Sequence, residues 1–419
     1  MTAIDDEAVE VRADLQRRTL VTLRRSQVPA QAAVAGMVAV VSLLARDLLG
    51  SDRLAGLGSA AFTTGAALTM VPLAASMRRR GRRAGLVRAL SIGAVGASIA
   101  AVGGEIRWFP IFLVGMLLFG VGQAAALQQR YVAADLAPER DAATAIAAVV
   151  WVGTLGAAFG PVVSPLARST ASAIGLDELV GPFLFATVLF AAAAVVVWAR
   201  LRPDPLEVLD ALDPDAPRTR PIRQVRAAAG VIRSSPNAVL GLVAMAGAQA
   251  AMVGVMTMTP PHRDDHGHDD LSAFVSALHI VGMYAFAPGV GRFVDRFGAN
   301  RAIRVGAVVL GVGTVSTVMA GYVPVLMFVG LFLLGLGWNV GLIAGSSLLT
   351  SSVPAETRVE VQGTADLTMA SCGALAAFGS GFVKEEVGFH LLANGAAAIA
   401  AAILALAWFT AARTTPRLS

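Results

Sequence analysis

Apolar residues run in long blocks along this chain, and polar residues gather in the short gaps between them. The blocks fall near residues 27–49, 55–76, 85–104, 109–129, 143–166 and 180–199. They resume near 238–259, 271–290, 302–321, 324–349, 360–382 and 388–411. Each is roughly 20 residues long, enough to cross a ~30 Å hydrocarbon core as a helix rising 1.5 Å per residue. The pattern predicts an all-α membrane protein of about twelve transmembrane helices.

Polar stretches divide the chain. A leader over 1–25 precedes a six-helix half over 26–200, and EVRADLQRRTLVTLRR within it reads as a short surface helix. A hydrophilic linker over 201–237 precedes a second six-helix half over 238–412 and a tail over 413–419. The halves also match in sequence. Gly81 pairs with Gly298, Gly120 with Gly335, Arg140 with Arg358, and Ala157–Gly160 with Ala376–Gly379. These matches keep their order at nearly constant spacing. They predict two pseudo-symmetric halves related by a parallel repeat.

Composition changes the picture in one respect. The chain is 56% hydrophobic and 15% charged, with mean hydropathy +0.68 and net charge +5. In a soluble protein such basicity suggests nucleic acid. Here the arginines flank apolar blocks, so they are topology signals and no nucleic-acid partner is expected. They place both termini in the cytoplasm of a multi-pass protein of the inner or plasma membrane, and the His-rich loop 260–270 outside. The expected partners are the bilayer and a small solute or metal ion, with the protein acting as a monomer. Cys372 stands alone, so no intramolecular disulfide forms. No secretory signal and no Gly-Lys-Ser/Thr phosphate loop is present, and no cofactor is expected.

Within GRFVDRFGANR, the residues Gly291, Asp295, Arg296, Gly298 and Arg301 follow the spacing G-x-x-x-D-R-x-G-x-x-R. This resembles the loop signature of the major facilitator superfamily, and the resemblance covers roughly Arg24 to Arg413. It implies the fold of that family, a secondary transporter using alternating access, and a gating role for this loop. The first-half copy is degenerate, with Arg78 where the aspartate is usual. Gly156 to Pro161 resembles, in part, the fifth-helix G-x-x-x-G-P motif. Plain topology arginines are the competing account of the loop.

A narrower resemblance rests on Met252 and Met256, then Thr257-Met258-Thr259-Pro260, then His279 and Met283. This is similar to a branch of bacterial copper importers for oxidase assembly, which has riboflavin-carrying relatives. Residues four apart share a helix face, so Met252 stacks with Met256 and His279 with Met283. Counted from the outer loop, Met252 and His279 lie at similar depth. Thioether and imidazole are soft-metal ligands. Methionines also fill gaps between helices, whereas a histidine within a span lines a cavity or finds a partner. His262, His266 and His268 form an outer loop able to capture metal, or simply a solvated loop. Asp366 and Gln362 share a helix face one turn apart. With Asn339 and Gln123, they are candidates for a polar cavity or for proton coupling.

These readings converge on a transporter rather than an enzyme, with its substrate site near mid-membrane. Import of copper or a related soft metal is one expectation. Proton-coupled movement of a small organic solute, riboflavin-like or amphipathic, is the alternative. A non-transporting membrane sensor is a second alternative, but no signalling domain occurs in the leader or linker.

Overall fold

The computed structural model describes residues 3–50, 56–210, 221–264, 272–319, 325–387 and 389–414. The first helices are α1 (Ala3–Leu49), α2 (Leu57–Arg80), α3 (Arg82–Glu105) and α4 (Phe109–Asp135). Then come α5 (Ala142–Val150), α6 (Val152–Ala173) and α7 (Gly181–Arg200). Two short helices, α8 (Pro205–Val208) and α9 (Pro221–Ser234), lead to α10 (Pro236–Asp264), α11 (Ser272–Tyr284) and α12 (Ala287–Phe297). The last four are α13 (Ala299–Met319), α14 (Val325–Ser351), α15 (Arg358–Val387) and α16 (Phe389–Thr414). Taking α5 with α6 and α11 with α12 as consecutive pairs in the chain, each apolar block corresponds to one helix or one pair. Among the described residues, seven helices are each long and apolar enough to cross a bilayer: α1, α2, α3, α4, α7, α10 and α14. The α11/α12 break coincides with Pro288 at the start of α12, which lacks the N–H that would continue the helix.

The boundary expected near residue 26 is absent. The leader and the first apolar block form one helix, α1, with Pro29 inside it. Gln16, Thr19, Thr22 and Leu23 are buried, and Gln16 donates to the Ala133 carbonyl at 2.8 Å. A face that packs on α4 stays helical, so the leader is not a separate surface helix.

The chain divides into two units, and unit 2 takes in one segment of the first half. Unit 1 holds Met1–Ala137 and Val152–Gln224, and unit 2 holds Pro138–Trp151 and Val225–Ser419. The clean division expected at the linker therefore shifts by one segment, because α5 packs with α12 and α14.

Inside each unit the helices pack by the same scheme. In unit 1, α4 packs on α1, α2 and α3, while α7 packs on α1 and α3. In unit 2, α14 packs on α10, α11 and α13, while α16 packs on α10 and α13. The register repeats residue for residue. A Cβ on Gly65 would strike the Leu117 carbonyl, and one on Gly282 the Phe332 carbonyl. Gly120 lies against the Phe62 carbonyl as Gly335 lies against that of His279. Gly115 meets Ala100 as Gly330 meets Thr317, and Gly156 meets Gln31 as Gly373 meets Gln249. Without hydrophobic drive between helices in lipid, close backbone approach at glycines selects neighbours. The repeat of glycines is thus a repeat of helix contacts.

Candidate functional site

The signature loop is built on a sharp turn. Gly298 has φ +87 and its N–H bonds the Val294 carbonyl at 2.8 Å, ending α12. Gly81 has φ +88 and bonds the Met77 carbonyl at the same distance, ending α2. Only glycine adopts this region without strain. Beyond the turn the units differ. Asp295 accepts from the amides of Ala143 at 3.0 Å and Thr144 at 2.8 Å, so it caps the first turn of α5. A carboxylate there satisfies free N–H groups and meets the positive end of the helix. Arg78 takes that register in unit 1. A different helix start is capped there: Asp204 accepts from the amides of Arg82 (3.1 Å) and Arg83 (2.7 Å) at the start of α3, and from that of Leu206 (3.0 Å). Beside it, the fully buried Arg82 guanidinium forms a two-pronged pair with Asp135 at 2.8 and 3.1 Å.

Among the buried polar groups with an unpartnered atom, His279 is the imidazole. It is 2% exposed in α11, and its Nδ1 lies 2.7 Å from the Leu331 carbonyl of α14. A carbonyl can only accept, so the neutral ring carries its proton on Nδ1 and presents a lone pair at Nε2. Among the described residues Nε2 has no partner. The approach depends on Gly335, which leaves room for the α11 backbone. His279 and Gly335 lie opposite each other, as do Met283 and Asn339 one turn on, so α11 and α14 run parallel. Asn339 is fully buried; its Nδ2 donates to the Met283 carbonyl, and its Oδ1 has no partner among the described residues. Next to it, Trp338 Nε1 donates to Gln249 Oε1 of α10 at 2.6 Å, and the indole meets Tyr284 edge-on with centroids 5.8 Å apart. Two acceptors and an aromatic edge thus occupy successive turns of the α11/α14 seam.

The other candidates distribute as follows. Met252 is buried in α10, which packs on α14, α15 and α16, and Met283 is half-buried in α11. The placed hydrogen bond of His279 goes to α14 rather than toward the methionines of α10. His266 and His268 lie outside the described residues, as do the side chains of Met256 and His262. Among the described residues, no group of three His, Cys, Asp or Glu is placed to hold a metal ion. Gln362 and Asp366 are fully buried in α15, and Gln362 Nε2 donates to Thr350 Oγ1 at 3.3 Å. Gln123, in α4, is half-buried and its Oε1 lacks a partner among the described residues. Gln249 and Asp204 carry no motif. The only sequence signal for Gln249 is an amide inside an apolar run, in register with Gln31 of the first half.

The Major Facilitator Superfamily model matches residues 28–377. The chain is 35% identical over 396 residues to the Uncharacterized MFS-type transporter YddS of Bacillus subtilis, covering 94% of this chain and 91% of the relative. It is 28% identical over 385 residues to the Riboflavin transporter RfnT of Brucella anthropi, covering 91% and 92% respectively. The crystal structure of the human organic anion transporter MFSD10 (TETRAN) superposes with TM-score 0.74 at 16% identity, over 94% of this chain and 99% of that one. At that identity the likeness concerns the fold alone. The chain belongs to the major facilitator superfamily and is a multi-pass membrane transporter.

Proposed function

We propose that this member of the major facilitator superfamily carries a small aromatic organic solute of the riboflavin type, recognised at the α11/α14 seam. One observation carries the reading: the buried Nε2 lone pair of His279, fixed by the bond from Nδ1 to Leu331. A buried acceptor without a partner costs about 1–3 kcal/mol, which a solute N–H or O–H donor recovers on binding. Asn339 Oδ1 offers a second acceptor, and Trp338 with Tyr284 offers an aromatic edge. A flavin has both a ring face and donor groups, and the resemblance to RfnT over most of both chains supports that class. Asp366, buried in α15, is the carboxylate assigned to proton coupling. Transport proceeds by alternating access in the plasma membrane, with both termini in the cytoplasm and the protein acting as a monomer.

The same lone pair favours a second reading. A histidine that donates Nδ1–H to a carbonyl is poised to ligate through Nε2, and Met283 lies one turn away with Met252 on α10. This is the copper reading. Uptake by proteoliposomes separates the two. Under the flavin reading, riboflavin accumulates, His279→Ala lowers the rate about 30-fold, and Met252→Leu retains it because the thioether only packs. Cu(I) accumulation lost in both His279→Ala and Met252→Leu, without riboflavin uptake, overturns the flavin reading in favour of the metal.

A further inference from the structure

The outer face of α13 carries Val305, Val308, Val312, Val315 and Met319, all exposed and spaced alternately three and four residues apart. In a membrane transporter such a stripe faces acyl chains. Arg301 and Arg304 lie one turn before Val305 and Val308, on the same face, at the arginine-rich end of unit 2. A groove of about 500 Å³ opens there between α12, α13 and α16. Phe293, Phe297 and Leu404 supply its apolar walls, with both arginines and Trp408 at its rim. Trp408 is 60% exposed, and the Arg304 guanidinium sits 4.4 Å over its ring. Among the described residues neither Arg301 nor Arg304 makes an ion pair. The acid nearest in sequence, Asp295, has both carboxylate oxygens on amides of α5.

We infer that this groove binds one anionic phospholipid, with the phosphate held by Arg301 and Arg304 and an acyl chain laid along the valine stripe. Three features select an anionic lipid over a neutral one. Two cations without acidic partners among the described residues sit at headgroup level, where each is worth about 1 kcal/mol toward an anionic surface. An indole marks the interface between chain and headgroup. The apolar trough continues from the cations into the lipid-facing stripe, which a free phosphate ion would leave uncovered. Arg304 is already ordered over Trp408, so less rotamer freedom is lost when the phosphate arrives.

The test is tryptophan quenching in nanodiscs of brominated phosphatidylglycerol or brominated phosphatidylcholine. The Trp408 signal is the difference between the wild type and Trp408→Phe. Half-quenching by the glycerol lipid is expected at a mole fraction at least fivefold lower than for the choline lipid. The paired change Arg301→Gln with Arg304→Gln is expected to erase that preference, and Arg304→Lys, which keeps the charge, to retain it. Equal quenching of the wild type by the two lipids overturns the site whether or not the variants fold. A preference that survives in the folded double variant overturns the role of the arginines.

Discussion

The seam of α2 with α4 and the seam of α11 with α14 are two copies of one joint. In both, a glycine from each helix meets a backbone carbonyl of the other: Gly65 with Leu117 and Gly120 with Phe62, then Gly282 with Phe332 and Gly335 with His279. The backbone geometry repeats, and the side chains at the joint do not. Where α11 has His279, α2 has Phe62, whose ring packs on Phe119 at 5.5 Å. Where α14 has Trp338 and Asn339, α4 has Gln123 and Ala124. Both copies hold a buried acceptor without a partner among the described residues, Gln123 Oε1 in the first and His279 Nε2 with Asn339 Oδ1 in the second, and the second sets an imidazole and an indole where the first has a phenyl ring and an amide. Pseudo-symmetry lets the backbone joint repeat while the side chains set at it differ.

The largest expected effect tests the shared part. Gly120→Val and Gly335→Val each drive a branched side chain into backbone, with no flexible neighbour to yield. Each is expected to cost about 3 kcal/mol or more, read as loss of the monodisperse peak in detergent and of the unfolding transition. If one is tolerated and the other is not, the joints are not mechanically equivalent. The next test exchanges the unshared part. His279→Phe makes the second joint resemble the first. It is expected to leave a folded protein whose uptake falls about 30-fold. Phe62→His should gain no transport and should lower stability by about 1–2 kcal/mol. An H279F variant with normal uptake would remove the seam from the transport site.

The smallest effect concerns the two turns. Asp295→Ala strips two amides at the start of α5, and Asp204→Ala strips those of Arg82, Arg83 and Leu206. Each is expected to cost about 1–2 kcal/mol in chemical unfolding, the range for a lost helix cap. On the reading that the signature loop gates, transport should fall further in Asp295→Ala than in Asp204→Ala. Equal transport loss in the two variants would make both turns simple helix caps.

Much of this was legible in the residues. Gly81 and Gly298 announced matching turns, and Gly120 and Gly335 announced matching close approaches, because only glycine satisfies either demand. His279 was legible as a candidate, since an imidazole in an apolar run needs a reason. Its proton arrangement was not legible, because the partner is a backbone carbonyl 52 residues away. The pairing of Trp338 with Gln249 was hidden for the same reason: it joins helices far apart in sequence. The shared depth of Met252 and His279 suggested a common site. Depth alone does not say which helices touch; among the described residues α11 packs on α14, and α10 on α14, α15 and α16.

By itself the sequence determined the number and length of apolar segments, the internal repeat and the signature turn. These follow from local demands: the thickness of a bilayer, the φ of a turn, the spacing of charge at helix ends. The tertiary structure alone decided that Pro138–Trp151 joins unit 2, that Asp204 from beyond α7 caps the start of α3, and that Nε2 of His279 is the nitrogen left with a lone pair. Apolar segments in lipid look alike on every face. Their neighbours are chosen by backbone approach and hydrogen bonds between helices distant in the chain, and those choices exist only once the helices have packed.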